Sequence, residues 1–185
     1  EIESQQKVQS FASVDLDLEQ IRKEILQTHN YYRRRHQVGD LVRDSKMEKI
    51  AQEYSENLSS KGILQHSDNK YDGQWMGENL YGGNANGTRA SENWYNEIKN
   101  YDFNNPGFKS GTGHFTQLVW KESQKIGCGA SCIGICVITC NYYPGGNFGY
   151  AAEYTRNVLP YVEVDDSENE EKDKDKDKDK EKEEL

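Results

Sequence analysis

Two imidazoles and two carboxylates sit in short motifs spread along the chain: His66 in HS, Glu78 in GEN, Glu97 closing WYNE, and His114 in GHFTQLVW. Neutral imidazoles bind a borderline divalent cation through nitrogen, and carboxylates either accept hydrogen bonds from the second ring nitrogen or hold metal-bound water. Meeting in one cleft, the four would form a candidate site for Zn2+ or Mg2+ with open positions. Taken one at a time, each histidine reads equally as a hydrogen-bonded, half-buried side chain. Hydrolytic chemistry would need a general base, a part open to Glu78 or Glu97. The chain has neither an HExxH helix nor a GxSxG elbow. Ser67 follows His66, but neighbours on a strand point to opposite faces, which argues against a serine nucleophile there.

A second constellation is apolar. Tyr101, Phe103 and Phe108 bracket Asn104, Asn105, Pro106 and Gly107, residues with strong turn chemistry, so the rings ride on a loop. Tyr101, Phe103, Pro106 and Phe108 are therefore candidates for contact with a lipid. At about 25 cal/mol per Å2, burying a few hundred Å2 of ligand is worth several kcal/mol before ordering costs. The same rings can instead be anchors that fasten the loop to the core.

Helices must position these groups. Leu18, Ile21, Ile25, Leu26, His29 and Tyr32 recur at helical spacing between about Asp17 and His36, with Arg33, Arg34 and Arg35 near the end, where cations suit the helix dipole. A second helix runs from Asp44, a good N-cap, through Met47, Ile50, Ala51, Tyr54 and Leu58 to Gly62. Gln74 to Tyr81 reads as a short strand, Thr88 to Asn100 as a third helix, and Thr112 to Lys121 as a short fourth. Beyond it, Ile126, Val137, Ile138, Tyr142 and Tyr143 predict a β-hairpin, and Phe148 to Tyr154 a further strand. Helices first and strands last predict an α+β fold with helices on a small antiparallel sheet.

Composition bounds the rest. From Glu163 to Leu185 there are 13 acidic residues against 6 lysines, net −7 of the chain's −9, leaving −2 for everything before it. That tail is expected to be disordered. The domains are thus an N-terminal extension over 1–15, one folded domain over 16–162 and a tail over 163–185. No basic patch suits nucleic acid, and no apolar run reaches the length of a membrane span, so any membrane contact is expected to be peripheral. The chain opens on Glu1, compatible with a removed signal peptide. Asn57-Leu58-Ser59 and Asn86-Gly87-Thr88 are glycosylation sequons, which together with four cysteines lean toward an oxidising compartment.

The cysteines are symmetric about Gly134, with Cys132 and Cys136 two residues to either side and Cys128 and Cys140 six. A hairpin centred there sets each pair directly across the ladder, where the closer, non-hydrogen-bonded positions allow disulfides. Cys128–Cys140 and Cys132–Cys136 are the favoured pairs. A four-thiolate zinc site or free thiols are the alternatives. The terminal Lys182-Glu183-Glu184-Leu185 resembles a KDEL retrieval signal, which a receptor of the endoplasmic reticulum would read.

Taken together, HNYYRRRH at 29, HS at 66, GEN at 77, WYNE at 94, GHFTQLVW at 113 and CNYYPGGNFG at 140 resemble the CAP superfamily of cysteine-rich secretory, antigen 5 and pathogenesis-related 1 proteins, or SCP domain, in both order and spacing. The resemblance spans about Leu16 to Pro160. It implies a three-layer α-β-α sandwich and makes His66, Glu78, Glu97 and His114 the family's cleft tetrad. It implies, too, that the 101–108 loop matches the sterol-binding loop of fungal members, and that fatty acids or phospholipids are a second lipid class. EYTRNVLP looks like the Golgi-associated plant pathogenesis-related branch. Two departures stand out: Gln37-Val38-Gly39-Asp40 replaces the prolines common after the first helix, and no cysteine lies outside the hairpin. The resulting expectation is a lipid-binding protein of the secretory pathway, in the endoplasmic reticulum lumen or secreted. The cytosolic face of Golgi membranes is the alternative compartment, and a metal-dependent hydrolase or protease or a non-enzymatic protein-interaction module the alternative functions.

Overall fold

Asp17 opens the first helix by accepting a hydrogen bond from the Gln20 amide, and α1 runs Leu18–Arg35. Asp44 caps the second in the same way, through the Met47 amide, and α2 runs Ser45–Lys61 to Gly62. These details come from a computed structural model that describes residues 14–164. The acidic tail from 165 onward, its Lys182–Leu185 terminus and the first 13 residues lie outside the described residues.

Between the helices, β1 (Val42–Arg43) pairs in parallel with β5 (Lys125–Cys132), which forms an antiparallel hairpin with β6 (Cys136–Tyr143); β4 (Gly77–Gly82) completes the sheet in the order β1-β5-β6-β4. The sheet is therefore mixed, where the sequence predicts an antiparallel one. A two-residue β1 carries too little pattern to be read in advance. The expected strand from Gln74 divides at Met76: β2 (Lys70–Tyr71) and β3 (Gln74–Trp75) make a separate small hairpin, and the rest is β4. α3 (Gly87–Tyr95) continues as a 3-10 turn over Asn96–Asn100, and α4 is only Gly113–Leu118.

The strand predicted over Phe148 to Tyr154 is not formed. Its second half belongs to helix α5 (Ala151–Asn157). Tyr154 within it and Val158 just past its end, whose amide donates to the Tyr154 carbonyl at 2.8 Å, are the buried apolar positions, and a spacing of four is helical rather than alternating. Ala151, Ala152 and Glu153 at its start are also strong helix formers.

Strand alternation divides the core between two faces. On one, Ile126, Cys128, Ala130, Ile138, Cys140 and Tyr142 join residues of α1, α3, α4 and α5, including Trp94 and Phe115, and Trp120 just after α4. On the other, Leu80 and Val137 meet Leu58 and Tyr54 of α2. A Cβ on Gly129 would come within 2.3 Å of the Gln52 Cα, so the bare backbone at that position lets α2 lie against β5. The result is the three-layer α-β-α arrangement. The favoured cysteine pairs are bonded, Cys128 to Cys140 and Cys132 to Cys136, across Cα separations of 4.2 and 4.0 Å, at the narrow positions of the ladder.

Arg33 is fully buried at the centre of this assembly. Its guanidinium donates to the carbonyls of Gly39 at 2.7 Å, Leu118 at 3.0 Å, Trp120 at 2.9 Å and Ser123 at 2.9 Å. Burial lowers its pKa to about 10. Arg34, by contrast, pairs with Asp40 in a two-pronged ion pair, and Arg35 stacks on the Tyr31 ring at 3.5 Å.

His29 is equally buried. Its Nδ1 lies 2.8 Å from the Ile25 carbonyl and must carry the proton; its Nε2 then accepts from the Tyr142 hydroxyl at 2.8 Å. Burial lowers the imidazole to about 3, and burial also lowers His36. The unfolded chain therefore takes up protons that the native state refuses once pH falls below about 6.5. Stability is expected to be flat above that point and to fall below it by up to about 1.4 kcal/mol per pH unit for His29 alone. Denaturant midpoints between pH 4.5 and 6.5 measure this, and a His29→Gln variant should flatten the slope.

Candidate functional site

Glu78 lies on β4, whose register sets Glu78 opposite Asn141 and Asn79 opposite Cys140. Adjacent strand residues point to opposite faces, but β4 is the sheet's edge, so both faces open onto one cleft. His66, Glu78, Asn79, Glu97, Phe108, Ser110, Gly111, Gly113, His114 and Asn147 line it, around a volume of about 210 Å3. A larger groove of about 340 Å3, between Val14–Leu18, Gln52 and Ala130–Ile133, contains no imidazole or thiol.

All four tetrad residues come together there as two imidazole–carboxylate pairs. His66 Nδ1 lies 2.8 Å from Glu78 Oε1, and His114 Nδ1 lies 2.7 Å from Glu97 Oε1. A carboxylate can only accept, so each Nδ1 carries a proton, and a ring in its neutral form then keeps its lone pair on Nε2. Among the described residues neither Nε2 has a protein hydrogen bond, whereas no group of three or more His, Cys, Asp or Glu side chains converges as a ready metal cage. The carboxylates orient the rings, and the rings are the nitrogen donors.

Each carboxylate is also fixed from behind. Glu78, 7 % exposed, accepts the Ser67 amide at 3.0 Å and the Ser67 hydroxyl at 2.5 Å as well as His66, itself 66 % exposed. His66 and Ser67 therefore converge on one carboxylate instead of pointing apart, because the segment after α2 is a loop and not a strand. Glu97 accepts the backbone amides of His114 at 2.8 Å and Phe115 at 3.2 Å. It thereby caps α4, whose Thr112 supplies no side-chain cap. Burial works to raise both carboxyls, yet the hydrogen bonds outweigh it and hold both below the usual value. The bond to Glu78 raises His66, partly offset by burial.

Three further residues build the site. Asn79 Nδ2 donates to the His114 carbonyl at 3.1 Å and to the Tyr142 hydroxyl at 3.2 Å, linking the cleft to His29. Asn147, in left-handed backbone at φ 61°, holds the first turn of α4. Ser67 is the third. All three lie inside motifs visible in the sequence, GEN, CNYYPGGNFG and HS, but no pattern within those motifs reveals their targets. Gly77 of GEN has a packing reason: a Cβ there would fall 1.9 Å from Gln117 Oε1, which accepts the Gly146 amide at 2.8 Å.

The aromatic loop divides by depth. Tyr101 is 8 % exposed and its ring meets Phe103 at 4.9 Å and Phe115 at 5.7 Å. Phe103 is half-buried against the same core, whereas Phe108 is 69 % exposed and forms a wall of the cleft. Pro106 is half-buried in the turn between them. Both sequon asparagines, Asn57 and Asn86, are exposed, although Ser59 of the first is buried.

The comparisons agree with this architecture. The profile of the Cysteine-rich secretory protein family, CAP, matches residues 26–142. The chain is 42 % identical over 145 residues to the human Golgi-associated plant pathogenesis-related protein 1, covering 76 % of this chain and 94 % of that protein. It is 40 % identical over 137 residues to the Secreted protein RBT4 of Candida albicans, covering 69 % of this chain but only 36 % of that longer protein. The crystal structure of Na-ASP-1 superposes with a TM-score of 0.60 at 25 % identity, over 78 % of this chain and 45 % of that one. No helix among the described residues is long and apolar enough to cross a membrane. Sequence, sandwich and cleft together place the chain in the CAP family of cysteine-rich secretory proteins.

Proposed function

We propose that this CAP domain works in the secretory pathway and binds a sterol or related lipid against the 101–108 loop, with a divalent cation held by His66 and His114 in the adjoining cleft. The observation that carries the reading is the division of the loop: Tyr101 and Phe103 root it in the core, and Phe108 is left as an exposed ring on the wall shared with the imidazole pair. An amphipathic ligand could lay its apolar body on that ring and its polar end toward the cleft. Two imidazole donors backed by carboxylates fit zinc better than magnesium, which demands oxygen ligands. Bound there, the cation would supply a Lewis acid to a polar ligand atom. Glu78 and Glu97 are engaged as anchors, which favours binding over hydrolysis, since a general base works best with its pKa near neutrality. The two disulfides suit an oxidising compartment, and a secreted fungal relative supports the same placement.

Sterol binding to the purified protein, with and without zinc, tests the reading. Phe108→Ala is expected to weaken binding at least several-fold with an unchanged melting temperature. Tyr101→Ala is expected to destabilise the domain by about 3 kcal/mol, as a buried aromatic truncation does. Sterol affinity indifferent to Phe108, or absent from the parent under both conditions, would remove the lipid reading.

A further inference from the structure

We infer that Asn147 is a positioning residue for the His114 imidazole. Its Nδ2 donates to the Gly113 carbonyl at 2.7 Å and its Oδ1 accepts from the Thr116 hydroxyl at 2.6 Å. Both partners belong to the first turn of α4, and His114 lies between them. Glu97 grips the amides of that turn from the other side, at 2.8 and 3.2 Å. The Asn79 carboxamide reaches the His114 carbonyl at 3.1 Å. A six-residue helix is too short to hold its own ends rigidly, and its N-cap Thr112 makes no capping bond. The direction in which the His114 ring points is therefore set by these outside contacts. Asn147 supplies two of them through one side chain, while itself lining the cleft.

Asn147 holds this place at some conformational cost. Its φ of 61° is a left-handed conformation that asparagine tolerates better than other side chains and glycine best. Glycine at this position would keep the backbone and delete both hydrogen bonds, separating the two contributions. A role confined to the turn would leave Asn147→Gly neutral; a positioning role would loosen the His114 ring. What the loosening does to cation affinity rests on the reading of the cleft proposed above, but the ring's order does not.

The test is a comparison of the parent with Asn147→Gly and Asn147→Ala by two measurements. The first, made without metal, is the NMR signal of the His114 Nδ1 proton shared with Glu97. It is expected to be slow to exchange in the parent and broadened or lost in Asn147→Gly, with the melting temperature within a few degrees of the parent. The second is zinc affinity by competition with a chelating dye, expected to drop about 10-fold in Asn147→Gly, the size of effect typical for residues that orient a ligand. Asn147→Ala adds backbone strain and should lower the melting temperature further while losing the same signal. A persistent His114 proton in Asn147→Gly overturns the inference whatever zinc does. A lost proton signal in a protein whose parent binds no zinc supports the positioning role and overturns only the cation reading.

Discussion

Arg33→Met is expected to lower the stability of the domain by about 3–5 kcal/mol, measured as a shift in the urea midpoint at constant slope. The substitution keeps the apolar stem and removes the donors of three buried carbonyl bonds, to Leu118, Trp120 and Ser123, and of a part-buried fourth to Gly39. Each orphaned buried acceptor costs about 1–3 kcal/mol, and removing one partner of a buried charged arrangement falls in the range quoted. The affected carbonyls follow α1, close α4 and precede β5, so the guanidinium fastens the helical layer to the sheet at one point. Arg33→Lys should recover less than half, because a single ammonium cannot reach carbonyls arranged for a planar fork. A loss below about 1 kcal/mol for the methionine variant would mean that water replaces the guanidinium, and the account would fail.

The second large effect is expected at Glu97. Glu97→Ala should weaken zinc binding by about 10- to 100-fold, because it frees the His114 ring to rotate and to exchange tautomers. It should also cost about 1 kcal/mol of stability through the uncapped amides of His114 and Phe115. Glu97→Gln keeps one acceptor oxygen for three donors and is expected to fall between parent and alanine. Calorimetric titration with zinc, alongside thermal melts, separates the two losses. If both variants bind zinc as the parent does, His114 does not depend on its carboxylate and the paired-dyad description of the cleft is wrong. The corresponding change at Glu78 should matter less to His66, whose ring is largely in solvent and less confined.

The elements that were legible share a physical reason. α1 and α2 are long, amphipathic and capped by Asp17 and Asp44, so periodicity and capping chemistry point to the same residues. The hairpin was legible through its symmetric cysteines, since equal distances from Gly134 fix the register and the register fixes the pairing. α5 was not. Phe148, Tyr150 and Tyr154 favour a strand by composition, and the helix forms because Tyr154 and Val158 must both reach a core contributed by other elements. β1 escaped for a similar reason: Val42 and Arg43 are extended only because Lys125 and Ile126 lie alongside them.

Four motifs named the tetrad before any coordinate did, and types alone restricted the chemistry to nitrogen donors backed by oxygen acceptors. The sequence by itself determined the family, the order of the long helices, the disulfide register and four of the residues that meet in the cleft. Tertiary structure decided what each member does. It placed Glu78 on an edge strand where two faces share one opening, used Glu97 as both helix cap and ring anchor, and sank Tyr101 while leaving Phe108 in solvent. It buried Arg33 beneath four carbonyls and Arg35 against the Tyr31 ring, but left Arg34 between them to pair with Asp40 nearer the surface. Pattern along a chain records spacing and polarity within an element. Hydrogen bonds between residues 85 to 90 positions apart, such as those of Arg33, depend on where other elements arrive, and that is fixed only when the whole core closes.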